Sequence, residues 1–279
     1  MILKNLYINN IYIFKKMVFP NFFFLFIFIF VIAIVGANLD IIQPRIIGGF
    51  DANSNNFKFF AHILWNDNVD LFRVCGGTLI HPKAILTAAH CIPYNTSIEI
   101  LVGLDLPNLK NTINPELHAI KNVYIHPEFN KSDDLWADVA ILEMNELSTL
   151  EYLEIKETKR EEMGTIIGYG EDHTHMTTSS MKQIILPIVS HRECHNYFYP
   201  LGITISRDLV CVKNGDYYST PCRGDSGGPL LISKKKKKMF LFGVVSFGLS
   251  QCGEIKGYTV FTNAFYYIHW INNILQSLK

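Results

Sequence analysis

From Ile46 onward the chain is a succession of short β-rich runs set between turn residues, and that pattern leaves few folds open. Gly77–Ile80, Ala84–Thr87, Val139–Leu142, Gly164–Gly168 and Gly243–Ser246 are too short for helices. They are rich in Ile, Leu and Val, which favour strands. Many short strands between turn signals predict an all-β fold, an antiparallel barrel or sandwich. Helical spacing appears only in the tail, about Ala264–Leu278, where Phe265, Ile268, Ile271, Ile274, Leu275 and Leu278 share one face. There is no internal repeat. The 279-residue length, less the first 45 residues, suits one all-β unit or two small barrels.

The segment Gly224-Asp225-Ser226-Gly227-Gly228-Pro229 carries the most chemistry. A serine between glycines can bring its backbone close to a substrate. A serine hydroxyl is a poor nucleophile until a base stands beside it. The chain offers a base in Thr87-Ala88-Ala89-His90-Cys91 and an orienting acid in Asp138-Val139-Ala140-Ile141-Leu142. Taken singly, His90 reads as a packed barrel histidine, Asp138 as a strand-end cap and Asp225 as a surface turn acid. Taken together, His, then Asp, then Ser is the order of one of the three unrelated triad arrangements.

These segments, with a matching activation site and matching cysteines, closely resemble the trypsin/chymotrypsin family of serine endopeptidases. The resemblance runs from Ile46 to the C-terminus. It implies two packed six-stranded antiparallel β-barrels and a C-terminal α-helix, with the charged stretch 151–162 as the connector. Ser226 is then the nucleophile, His90 the general base and Asp138 the group that fixes the His90 tautomer. The backbone N–H groups of Gly224 and Ser226 are expected to face the developing oxyanion. Ser246 matches the family serine that hydrogen-bonds the catalytic acid, and Ser246-Phe247-Gly248 the strand that pairs with substrate backbone. The family usually has Trp at the place of Phe247.

The resemblance also implies the disulfides Cys75–Cys91, Cys194–Cys211 and Cys222–Cys252. Cysteine arithmetic alone leaves fifteen pairings of these six open. Arg45-Ile46-Ile47-Gly48-Gly49 resembles the family's activation site. Cleavage after Arg45 would free an ammonium at Ile46 that pairs with Asp225, since a buried carboxylate needs such a partner. Thr220, six residues before Ser226, stands at the floor of the specificity pocket. A trypsin has Asp there. Without a carboxylate, a buried substrate Arg or Lys has no charge partner. Gly248 and Thr259 are the expected walls, and the threonine narrows the pocket. Small to medium uncharged residues before the scissile bond are expected. Leu104 stands where the family's calcium loop would place its first acid, so no metal is expected, and no cofactor.

The N-terminus reads as a leader. Phe22–Val35 is an unbroken apolar run preceded by Lys15 and Lys16 and followed by the small residues Gly36 and Ala37. A spanning helix needs about twenty apolar residues. The expected division is a signal peptide over 1–37, a propeptide over 38–45 and a protease domain over 46–279. An uncleaved membrane anchor is the other reading of the same run. Six cysteines fit secretion, and Asn95-Thr96-Ser97 and Asn130-Lys131-Ser132 are then glycan acceptors. The formal net charge of zero argues against nucleic acid as a partner. Expected partners are protein or peptide substrates, an activating trypsin-like protease and protein protease inhibitors, for a monomer. Lys234–Lys238 read as the solvated tip of a hairpin, or as a basic exosite. The competing class is a non-catalytic homologue that acts by binding. Such homologues commonly lose a triad residue, and none is lost here.

Overall fold

A computed structural model describes residues 49–278, except 67–70, 95–97, 107–115, 130–135, 158–161, 172–177, 216–219, 235–237 and 249–256. The leader, Arg45, Ile46, both sequon asparagines, Cys252 and Lys235–Lys237 lie outside the described residues.

Six strands close a barrel. They are β2 (Phe60–Asn66), β3 (Leu71–His81), β4 (Ala84–Thr87), β5 (Glu99–Leu104), β6 (Glu116–Ile125) and β7 (Ala140–Met144), in the order β2-β3-β4-β7-β6-β5. Every pairing is antiparallel. The apolar residues of these strands, Ile63, Leu79, Ile85, Val102 and Ile141 among them, are fully buried. Each such side chain contributes about 1.5–3 kcal/mol by leaving water.

The second sheet runs β1-β9-β8-β11-β12-β13-β10. Its strands are β1 (Phe50–Asp51), β8 (Met163–Gly168), β9 (Lys182–Pro187), β10 (Leu209–Lys213), β11 (Pro229–Lys234), β12 (Lys238–Gly248) and β13 (Tyr258–Asn263). The six strands after the connector curl into a half-barrel, which agrees with the second barrel expected from the sequence. Its ends meet at a single antiparallel bridge, Ile188 to Val212. The seventh strand, β1, is added at the β9 edge, from the N-terminal side of the chain.

The connector ties the two sheets together by backbone. Leu153 N–H donates to Leu79 O at 2.9 Å, and Leu241 N–H to Glu154 O at 3.0 Å. β11 and β12 form the hairpin read from the lysine run, ending on the pair Lys234–Lys238. Lys238 Nζ donates to Glu154 at 2.7 Å, so that end of the run is paired with the connector. The C-terminal helix α2 (Ile268–Ser277) begins four residues later than its apolar spacing, after a run of turns. The sequence reading missed a second helix, α1 (His191–Phe198), although its start is legible. Ser190 Oγ accepts from Glu193 N–H at 3.2 Å, a Ser-x-x-Glu cap. Among the described residues, no helix is long and apolar enough to cross a membrane. The apolar run at 22–35 lies outside them.

Candidate active site

β4 ends at Thr87, and the chain turns into one 3-10 turn, Ala89–Cys91, that presents His90. Two fastenings hold this turn. A disulfide joins Cys91 to Cys75 on β3, and Trp65 Nε1 donates to Cys91 O at 3.2 Å. Asp138 precedes β7 and is fully buried. Its Oδ1 accepts from His90 N–H at 2.9 Å and its Oδ2 from His90 Nδ1 at 2.7 Å. A carboxylate only accepts, so Nδ1 carries the proton and Nε2 is left as the basic nitrogen. Ser246 Oγ donates to the same Oδ2 at 2.6 Å.

Ser246 reaches across from the second sheet because of a bulge. In the β12–β13 ladder Val245 opposes Phe261 and Phe247 opposes Val260, which leaves Ser246 as the extra residue. A bulge re-aims a side chain without ending the strand.

Ser226 is half-buried, on the turn before β11. Its carbonyl accepts from Gly76 N–H at 2.7 Å, and Gly227 N–H donates to Val245 O at 2.8 Å. Gly227 is needed there. Its φ is +76°, and a Cβ would lie 2.3 Å from Thr87 Oγ1 and 2.5 Å from Gly76 O. This close approach sets the Ser226 turn against the segment leading into His90. Among the described residues, no hydrogen bond joins Ser226 Oγ to the His90 ring, so the structure links two of the three residues directly. Such contacts are often loose without substrate. Among the described residues, neither the Gly224 nor the Ser226 N–H donates to a backbone carbonyl. Gly224 has φ +90°.

Asp225 points inward. It is fully buried, and its carboxylate accepts from Gly170 N–H at 2.7 Å and from Cys222 N–H at 2.9 Å. Glycine at 170 makes the room, because a Cβ there would fall within 2.4 Å of the carboxylate. Burial pushes the Asp225 carboxyl up from the ordinary range, against those two N–H groups and the field of Arg73. Arg73 was not singled out from the sequence. Its guanidinium donates to Tyr169 O and lies over the Tyr169 ring, 5.0 Å from the centroid. Burial lowers the Arg73 pKa, while Asp225 and then Tyr169 oppose that.

Of the residues assigned to the pocket, Phe247, Gly248 and Thr259 lie at one end of β12 and β13. Gly248 pairs with Thr259, and Phe247 with Val260. The Thr259 hydroxyl is buried and donates to Asn214 Oδ1 at 3.0 Å. Thr220 is buried. Phe247 packs against Phe198 with ring centroids 6.1 Å apart. Cys194–Cys211 is a second disulfide, linking α1 to β10. Cys222 is disulfide-bonded, and its expected partner Cys252 lies outside the described residues.

A groove of about 660 Å³, lined in part by His191, Arg192, Arg207 and Tyr266, shares no residue with this constellation. Cys75, His90 and Cys91 cluster closely enough to hold a metal, but both sulfurs are in a disulfide and offer no thiolate.

The chain matches the profile of the family described as Trypsin over residues 46–271. It is similar to human chymotrypsin-like elastase family member 1, 31% identical over 251 residues that cover 84% of this chain and 94% of that protein. It is similar to bovine chymotrypsin-C, 29% identical over 85% of this chain and 92% of the relative. Mouse chymotrypsin-C is 31% identical over 84% of this chain and 90% of its own length.

Proposed function

The chain belongs to the trypsin family, and on that premise we propose that it is a secreted serine endopeptidase made as an inactive precursor. The observation that carries the proposal is the fully buried Asp138 carboxylate, bonded to both His90 Nδ1 and Ser246 Oγ. A buried carboxylate costs folding free energy unless it is fully hydrogen-bonded. Here its partners leave His90 Nε2 basic.

In the reaction, Ser226 Oγ attacks the scissile carbonyl carbon and passes its proton to His90 Nε2. The C–O bond forms as the carbonyl oxygen takes up negative charge. The N–H groups of Gly224 and Ser226 stabilise that charge, by about 2.7–4 kcal/mol for a single donor in comparable sites. His90 then protonates the leaving nitrogen as the C–N bond breaks. Water repeats the sequence against the acyl-enzyme and returns Ser226 to its hydroxyl form.

Activation follows cleavage after Arg45. The new ammonium of Ile46 pairs with Asp225, whose burial otherwise disfavours its charge. The propeptide 38–45 has no cysteine and leaves freely. Substrate preference follows from Thr220, Gly248 and Thr259, which offer no carboxylate to a basic side chain. Small to medium uncharged residues fit best. Covalent labelling of Ser226 by a serine-directed fluorophosphonate tests the proposal. A chain that acts only by binding is not labelled.

A further inference from the structure

We infer that Asp208, through the indole of Trp136, is a positioning residue that holds Asp138 in its reactive place. The inference rests on the serine endopeptidase reading above. Asp208 is almost wholly buried on the turn before β10, in the second sheet. Three neutral donors converge on its carboxylate. Trp136 Nε1 donates to Oδ1 at 2.7 Å and Tyr267 Oη to Oδ2 at 2.6 Å, and the Ser206 hydroxyl also donates to Oδ1.

Trp136 stands two residues before Asp138. Between them, Ala137 has φ +52°, a left-handed conformation uncommon for a residue with a Cβ. Such a conformation costs about 1–3 kcal/mol and persists only where its surroundings fix it. Those surroundings are on both sides of Asp138. Downstream, Val139 O accepts from His126 N–H at 3.1 Å, and Thr262 Oγ1 donates to Asp138 O at 2.9 Å. Upstream, among the described residues, the Trp136 indole is a side-chain tie, and Asp208 is its acceptor. The His126 ring lies 4.6 Å from that of Tyr267, so the Asp208 carboxylate also steadies the downstream side through Tyr267.

The placement is costly unless it serves the site. Trp136 remains 53% exposed, so it adds little to the core. Asp208 is a buried carboxylate with no ion pair among the described residues. Its neighbours aim one N–H at it from the loop that delivers Asp138. Displacing a catalytic group by about 1 Å can cost on the order of a hundredfold in rate.

The test is Trp136→Phe, which removes the N–H and keeps a ring on an exposed site, beside Asp208→Asn. Activated proteins are titrated with a fluorophosphonate, and the acylation rate is expressed per labelled site. A structural role lowers the number of labelled sites and leaves the rate per site unchanged. The expected result is a fall of about tenfold or more per site in Trp136→Phe, carried by kcat with KM unchanged. The double variant is no slower than Asp208→Asn alone. A rate per site within twofold of the parent in Trp136→Phe overturns the inference. If Asp208→Asn does not fold, Trp136→Phe decides alone. If the parent is not labelled at all, the endopeptidase reading fails. The inference is then read from the His90 Nδ1 proton by NMR: a shifted or broadened resonance in Trp136→Phe supports it, and an unchanged one overturns it.

Discussion

Ser246 on β12 and Asp138 on the segment leading into β7 meet at one hydrogen bond of 2.6 Å, from a bulged serine to a fully buried carboxylate. Ser246→Ala keeps the backbone bulge and removes only this donor. We expect kcat to fall about ten- to a hundredfold, the scale of one lost hydrogen bond to a charged group, with KM little changed. Steady-state kinetics on a chromogenic peptide checks this. Unchanged kcat would mean that Asp138 does not depend on the contact.

His62 makes stability depend on acid. Burial, and then the charge of Arg73, lower its pKa from 6.5 to about 3, while its bond to Leu106 O opposes them. The unfolded chain therefore binds a proton that the folded chain refuses. Stability from this group is fully present above pH 6.5 and is lost as pH falls toward about 3. The loss is on the order of 4 kcal/mol. Chemical denaturation between pH 7 and pH 4 should show the decline, and His62→Asn should flatten it. An equal slope in the variant would contradict the assignment.

Asp225 should respond to cleavage. Its carboxyl is raised by burial, so its charged form weakens the uncleaved fold as pH rises through the raised value. On the proposed activation, an ammonium at Ile46 would remove that penalty. Thermal unfolding at pH 7 should rise after a trypsin-like protease cuts at Arg45, and activity should appear with it. Asp225→Asn should show neither change. Full activity in uncut Arg45→Gln protein would contradict the scheme.

His90 and Asp138, which the structure joins, were legible because each sits inside a short local motif, as does the proposed nucleophile Ser226. The strands were legible because apolar runs and turn residues are local too. Arg73, Trp136 and Asp208 were not legible, because their partners are distant in sequence. Arg73 meets Tyr169 across 96 positions, and Trp136 meets Asp208 across 72. No spacing rule reaches that far. How far the second barrel closes was hidden for the same reason, since only pairing shows that the β9 and β10 ends meet at one bridge. The helix α1 differs, because the Ser190 cap was readable in the sequence.

The proposed pocket predicts that one residue moves specificity. Thr220 is buried, and on the proposed pocket assignment a carboxylate in its place would meet a basic side chain. Peptide-library cleavage by the parent should favour Ala, Val, Leu or Thr, broadly, because a methylene of fit changes rates only about 10–200-fold. Thr220→Asp should shift cleavage toward Arg and Lys. Dominant cleavage after Arg or Lys by the parent would show that Thr220 is not the pocket floor.

The most direct measurement is peptide hydrolysis by protein cut after Arg45, with Ser226→Ala, His90→Ala and the double variant run alongside. Ser226, His90 and Asp138 acting as one unit predicts fluorophosphonate labelling of the parent at Ser226. It also predicts a loss of several orders of magnitude in each single variant, with no further loss in the double. Substantial hydrolysis by Ser226→Ala, or a parent that neither cleaves nor labels, would contradict it.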